Sequence, residues 1–72
     1  MQLDERLKKI RKSKNLTQEQ IANILDTTKQ QYYLYEKGKR QLKAEQIQII
    51  CKTLNISADY LLCLIDKERP LY

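Results

Sequence analysis

Histidine, tryptophan and phenylalanine are absent from these 72 residues, and glycine and proline occur once each. Each absence closes a route. Without histidine, and with only Cys51 and Cys63 as thiols, the chain lacks the ligands of a structural zinc site, so no metal is expected. The commonest general base is missing too. No nucleophile–base pair and no carboxylate cluster stands in for it, so the sequence does not read as an enzyme. One glycine cannot build a glycine-rich phosphate loop, and nothing else points to a cofactor. No apolar run approaches the roughly 20 residues of a membrane span, and no secretory leader pattern precedes the cysteines. The expectation is two free thiols in a cytoplasmic protein, with Cys51 a small core hydrophobe and Cys63 partly exposed.

What is present is aliphatic and charged. Hydrophobic residues make up 42% of the chain, enough for a folded core rather than disorder. The length fits one domain over residues 1–72, with a core from about 3 to 65 and a C-terminal tail of 66–72. The only aromatics are five tyrosines, so aliphatic side chains must fill the interior. Charge is uneven: residues 1–43 carry eleven Lys or Arg against five Asp or Glu, and residues 44–72 carry three against four. A basic half beside a nearly neutral half suggests one face for a polyanion and another for a different partner. On charge alone, a solvated basic surface is an equal reading.

Hydrophobic spacing follows the helical period throughout, which predicts an all-α domain of five helices. Leu3, Leu7 and Ile10 set the inner face of a first helix over about 2–13, with Arg6, Lys8, Lys9 and Lys12 on its other faces. Asn15 can take the left-handed conformation that ends it. Thr17 and Gln20 form a capping box with Leu16 as staple, opening a second helix that runs to about Leu25. Asp26 stands where the chain must reverse. Thr28 and Gln31 make a second box eleven residues after the first, so the second helix is barely two turns and its connection is tight. A third helix over about 29–37 stops at Gly38. Ile47, Ile50, Cys51 and Leu54 stripe a fourth helix, and Asn55-Ile56 turns. Ser57 caps a fifth helix whose hydrophobic content is Tyr60, Leu61, Leu62, Leu64 and Ile65. Pro70 leaves the last residues as a tail.

On a helical wheel Lys29, Gln30, Tyr33, Leu34 and Lys37 share one face of the third helix, and Tyr32, Tyr35 and Glu36 face the body of the domain. The outward set is unusual for a bland surface. Gln can pair with both adenine N6 and N7, Lys can donate to guanine O6 and N7, and Leu can pack on a thymine methyl. Lys29, Gln30, Tyr33 and Leu34 are therefore the expected base contacts, packing on a protein being the alternative for Tyr33 and Leu34. Gln18, beside the free N–H groups that open the second helix, is the expected partner of a phosphate. Lys37, Lys39, Arg40 and Lys43 surround the exit of the third helix and fit phosphate clamps. Glu36 points inward, where an unpaired carboxylate would cost several kcal/mol, and Arg11 is its expected partner in a structural ion pair.

With these residues in hand, the stretch from Leu7 to Leu62 closely resembles the helix-turn-helix domain of phage repressors, Cro proteins and xenobiotic-response-element regulators. The resemblance rests on Ile10-Arg11, Leu16-Thr17-Gln18-Glu19-Gln20-Ile21-Ala22, Thr27-Thr28-Lys29-Gln30-Gln31, Tyr35-Glu36-Lys37-Gly38-Lys39-Arg40 and Leu54-Asn55-Ile56-Ser57-Ala58-Asp59-Tyr60-Leu61-Leu62. It implies a bacterial or phage regulator of transcription that binds operator DNA. It also implies groove-facing positions for Lys29, Gln30, Tyr33 and Leu34, a phosphate contact for Gln18 that can also reach a base, backbone contacts for Lys37 with Lys39 or Arg40, and the Arg11–Glu36 pair. Asn15 and Asp26 stand where such domains often have glycine, Leu42-Lys43 replaces a Pro-Ser-like entry to the fourth helix, and Leu34 replaces a polar reader.

One module of this size touches few base pairs. Selectivity therefore calls for a homodimer on an inverted repeat of double-stranded DNA, with half-sites one turn, about 34–36 Å, apart. Leu64, Ile65, Leu71 and Tyr72 are the expected dimer surface, closure of the small core being the equal alternative. One rival reading keeps the helix-turn-helix as a scaffold whose apolar tail captures a protein partner, such as a toxin. Another is a basic surface that binds RNA or any polyanion without sequence preference.

Overall fold

A computed structural model describes residues 1–72. It is all helical: α1 Leu3–Ser13, α2 Gln18–Ile24, α3 Lys29–Glu36, α4 Ala44–Leu54 and α5 Ala58–Leu61. α2 packs on α3, α1 lies across α3 and α5, and α4 supports α2 and α5. No helix is long and apolar enough to cross a membrane.

Local sequence sets the boundaries. The Thr17 hydroxyl accepts the Gln20 N–H at 3.0 Å while Gln20 Oε1 accepts the Thr17 N–H at 2.8 Å, closing the box that starts α2. Asn15 and Asp26, at φ 58° and 55°, end the first two helices in the left-handed region, as does Gly38 at 72° after α3. These short polar side chains do the work of glycine at two of the three positions.

The interior is a cluster in which Leu7, Ile10, Ile21, Ile50, Ile56 and Leu61 are fully buried around Tyr32. Each such aliphatic side chain contributes about 1.5–3 kcal/mol through the surface it removes from water. Cys51 is part of this core and Cys63 is half-buried, both as free thiols. Burial pushes the Cys51 thiol up from its ordinary range.

Three expectations are corrected. The second capping box is only half formed: Thr28 accepts the Gln31 N–H at 3.1 Å, but Gln31 Oε1 instead accepts from Arg40 Nη1 at 2.6 Å. The fifth helix is one turn long and does not reach Ile65. Cys63 turns left-handed at φ 65° and the Leu64 N–H folds back to the Asp59 carbonyl at 2.8 Å, leaving Leu62 and Leu64 exposed. Arg6, assigned to the outer faces of α1, is buried beneath Tyr60.

The tail is tied down. Arg69 accepts the Ser57 N–H at 2.8 Å, and Asn55 Oδ1 accepts the N–H groups of Leu71 and Tyr72 at 3.0 and 3.4 Å. Lys14 and Glu68 add an exposed ion pair at 3.1 Å, a contact of small energetic weight.

Candidate nucleic-acid interface

Two capped helices in tight succession fix what α3 can present. Because α3 must bury Tyr32 and Tyr35, stacked edge to face at 6.3 Å, its opposite side is forced outward. That side carries Lys29, Gln30 and Tyr33 exposed, the tyrosine at 45%, and Leu34 half-buried. Together with Gln18 at the start of α2, these four line one open hollow of about 440 Å³. The five residues expected at bases and at the neighbouring phosphate therefore share a single surface feature.

Beneath the hollow sits a polar anchor. Arg11 Nε donates to Glu36 Oε2 at 2.6 Å, and its Nη1 donates to the Leu16 carbonyl at 2.9 Å, binding α1 to α3 and to the loop before α2. Gln18 Nε2 donates to the other Glu36 oxygen at 3.2 Å, so the carboxylate also holds the side chain that opens α2. Desolvation alone would raise the Glu36 pKa. The hydrogen bonds from Arg11 and Gln18 outweigh it and hold the carboxyl below its usual range. The Arg11 guanidinium is raised in turn, chiefly by its bond to Glu36. Burial, with the nearby carboxylate, pushes the Tyr32 phenol far above its ordinary range, and its hydroxyl has no hydrogen-bond partner.

Around the hollow the charge is positive. Lys37 lies with its ammonium 5.4 Å from the Tyr33 ring centre, within cation–π range. Lys39 and Arg40 follow Gly38 on an exposed loop, and Lys43 caps the start of α4 by position alone, its N–H donating to Gln46 Oε1 at 2.8 Å. Gln31 was assigned only to a cap, yet it restrains the Arg40 guanidinium. Its signal in sequence is weak, because the partner sits nine residues on, past a turn.

Of the residues assigned to a dimer surface, Leu64 and Tyr72 are the most exposed, Leu71 is marginally exposed, and Ile65 packs partly against the core. No group of three His, Cys, Asp or Glu side chains is placed to hold a metal ion.

A short, doubly capped helix pair whose second member shows a polar, cation-flanked face defines a helix-turn-helix DNA-binding module. Residues 5–67 match the helix-turn-helix domain family. The chain is 43% identical over 58 residues to the uncharacterized HTH-type transcriptional regulator YqaE of Bacillus subtilis, covering 81% of this chain and 50% of that protein. It is 40% identical over 58 residues to the SPbeta prophage-derived uncharacterized HTH-type transcriptional regulator YonR of the same organism, covering 81% and 54%. It is 36% identical over 62 residues to the HTH-type transcriptional activator BcrR of Enterococcus faecalis, covering 86% and 30%. The chain belongs to the helix-turn-helix family that includes the phage repressors and Cro proteins. That family regulates transcription through DNA and is not enzymatic. The chain spans about half the length of the first two of these relatives. No solved structure gives a significant match.

Proposed function

We propose that this chain is a sequence-specific regulator of the Cro/C1 type that binds an inverted-repeat operator as a homodimer and represses by occupying it. The single observation that carries the reading is the common hollow of Gln18, Lys29, Gln30, Tyr33 and Leu34 with cations at its rim. α3 enters the major groove with Lys29 and Gln30 at base edges and Tyr33 and Leu34 against the groove surface. Gln18, Lys37, Lys39, Arg40 and Lys43 meet phosphates and add affinity without sequence information. With extents of 28 × 22 × 21 Å, two copies side by side suit half-sites one turn, about 34–36 Å, apart. Leu64, Leu71 and Tyr72, with Ile65 behind them, join the copies, and residues 1–72 act as one DNA-binding domain in the cytoplasm.

Selection of preferred duplexes from a random pool at near-physiological salt tests the reading. The expected result is an enriched inverted repeat whose sequence changes with Gln30→Ala or Lys29→Ala. Binding that enriches nothing and fades uniformly with salt overturns it in favour of a polyanion surface. Tail variants Leu64→Glu and Tyr72→Glu should lower dimer affinity while each monomer still folds. If they leave dimerisation intact but abolish capture of a protein partner such as a toxin, the scaffold reading replaces this one. BcrR is named an activator, so the sign of regulation is read from a promoter–reporter pair with and without the operator.

A further inference from the structure

We infer that the hollow between α2 and α3 is a receptor for the C5-methyl group of a pyrimidine, specifically thymine, in each operator half-site. The inference rests on the DNA-reading role proposed above and names which chemical feature that surface reads. Three of the five lining residues are polar, yet the hollow's surface is mostly carbon. It is lined by Tyr33 and Leu34 with Gln18, Lys29 and Gln30, so the long polar side chains contribute mainly their carbon to it.

One of the polar ends is also occupied elsewhere. Gln18 Nε2 is bound to Glu36 Oε1 at 3.2 Å, which keeps that amide from closing over the hollow. The Lys37 ammonium lies 5.4 Å from the centre of the Tyr33 ring, which places a cation beside the aromatic wall. An apolar recess bordered by Lys29 and Gln30, with Lys37 near Tyr33, suits an object that is apolar at its centre and anionic or hydrogen-bonding around it. On the edge of a base pair in the major groove, one group meets that description. The C5-methyl of thymine protrudes, flanked by its O4 and by the N6 and N7 of the paired adenine, with phosphates beyond. Leu34 cannot hydrogen-bond any base, so a hydrogen-bonding base edge at its position would be left unpaired in a dried interface. A methyl carries no such cost.

The magnitude follows from one methyl group removed from water. Its loss should weaken binding about fourfold per half-site, and about fifteen-fold when both half-sites lose it. The test starts from the duplex enriched by selection and replaces each thymine in turn with deoxyuridine, which deletes the methyl and leaves every hydrogen-bonding group. The expected result is one sensitive position per half-site, with Leu34→Ala insensitive to deoxyuridine there. An enriched duplex that tolerates deoxyuridine at every position overturns the methyl receptor while leaving base reading intact. Enrichment of no duplex overturns base reading itself, so the two failures are separable. The deoxyuridine arm uses the unaltered protein and does not depend on how Leu34→Ala folds. At the sensitive position cytosine should weaken binding and 5-methylcytosine should recover about the fourfold due to the methyl. No recovery overturns the methyl as the feature read, and 5-methylcytosine binding better than thymine overturns thymine as its source.

Discussion

Arg6 on the first helix donates from Nη1 to the Tyr60 carbonyl at 2.7 Å and lays its guanidinium over the ring of the same residue, 4.1 Å from its centre. The same nitrogen reaches the Ile65 carbonyl at 3.2 Å, and Nε points at Met1 Sδ. Arg6 is only 3% exposed and has no carboxylate within ion-pair distance. Its charge is met by carbonyl dipoles at the end of α5 and by the aromatic face, a favourable place for a cation. Arg6→Ala removes those bonds and strands the Ile65 carbonyl, while the Tyr60 carbonyl keeps the Cys63 N–H at 3.1 Å. A loss of about 2–3 kcal/mol is expected from urea unfolding, since hydrogen bonds to charged groups are each worth about 1.5–3 kcal/mol. Arg6→Lys should recover little, because a lysine cannot reach two carbonyls while stacking. A change below about 0.5 kcal/mol for the alanine variant would mean that water replaces every one of these contacts.

The Arg11–Glu36 pair makes stability depend on acid. The folded Glu36 carboxyl titrates below its ordinary value, so the unfolded chain binds its proton at higher pH than the folded one. The sign is fixed by that order. The contribution is fully present above the ordinary carboxylate pKa, about 4.3, and is lost as pH falls through the lower folded value. Unfolding free energy measured from pH 6 to pH 3 should therefore drop in the acid range, with Glu36 accounting for part of the slope. Glu36→Gln should flatten that part of the slope and cost about 3 kcal/mol at pH 7, because Arg11 keeps its partly buried charge without a partner. An unchanged slope in the variant would place the acid sensitivity on other carboxylates.

Much of this was legible because the cues are local. Thr17 with Gln20, Asn15, Asp26 and Gly38 each mark a boundary within a few residues of their own position, and the helices begin or end there. The inward and outward faces of α3 follow from periodicity in the same way. Arg6 defeated that logic. Its place on the wheel is beside the apolar stripe, and the carbonyls that accept from it lie more than fifty residues away. The early end of α5 was also hidden, since a cysteine in the left-handed region carries no sequence signature. Gln31 illustrates a competition: a capping bond and a bond to Arg40 were both open to it, and only the second depends on the path of the loop after Gly38. Asn55 spends its side chain on the tail amides for a similar long-range reason.

Gly38 is held by two constraints that can be separated. At φ 72° any side chain is strained, and a Cβ there would sit 3.0 Å from Asp4 Oδ2. Gly38→Ala should cost about 1–2 kcal/mol from the backbone alone, plus whatever Asp4 must give. Asp4→Ala in the same background should return only the steric share. A double-mutant cycle by thermal unfolding reads the coupling. Full rescue by Asp4→Ala would show that the left-handed backbone costs nothing at this turn.

The cations beyond α3 are expected to act on affinity and not on choice of sequence. Lys39 is exposed on the loop after Gly38, and Lys37 stands at the edge of the hollow over Tyr33. A lysine that neutralises one phosphate releases roughly one counterion, so Lys39→Ala or Lys37→Ala should each lower the slope of log affinity against log salt by about 0.9. The preferred duplex should stay the same, whereas Gln30→Ala should change it and leave the slope nearly untouched. Arg40 adds a finer case, because Gln31 Oε1 already holds its guanidinium at 2.6 Å. Gln31→Ala frees that side chain, so the slope should persist while affinity falls uniformly across sequences by the cost of ordering a released arginine, up to about 2 kcal/mol. Fluorescence anisotropy titrations at four or more salt concentrations, on the selected duplex and on a scrambled one, measure both quantities. A Lys39 or Lys37 variant that alters the preferred duplex while keeping the slope would move that residue from the phosphates to the bases.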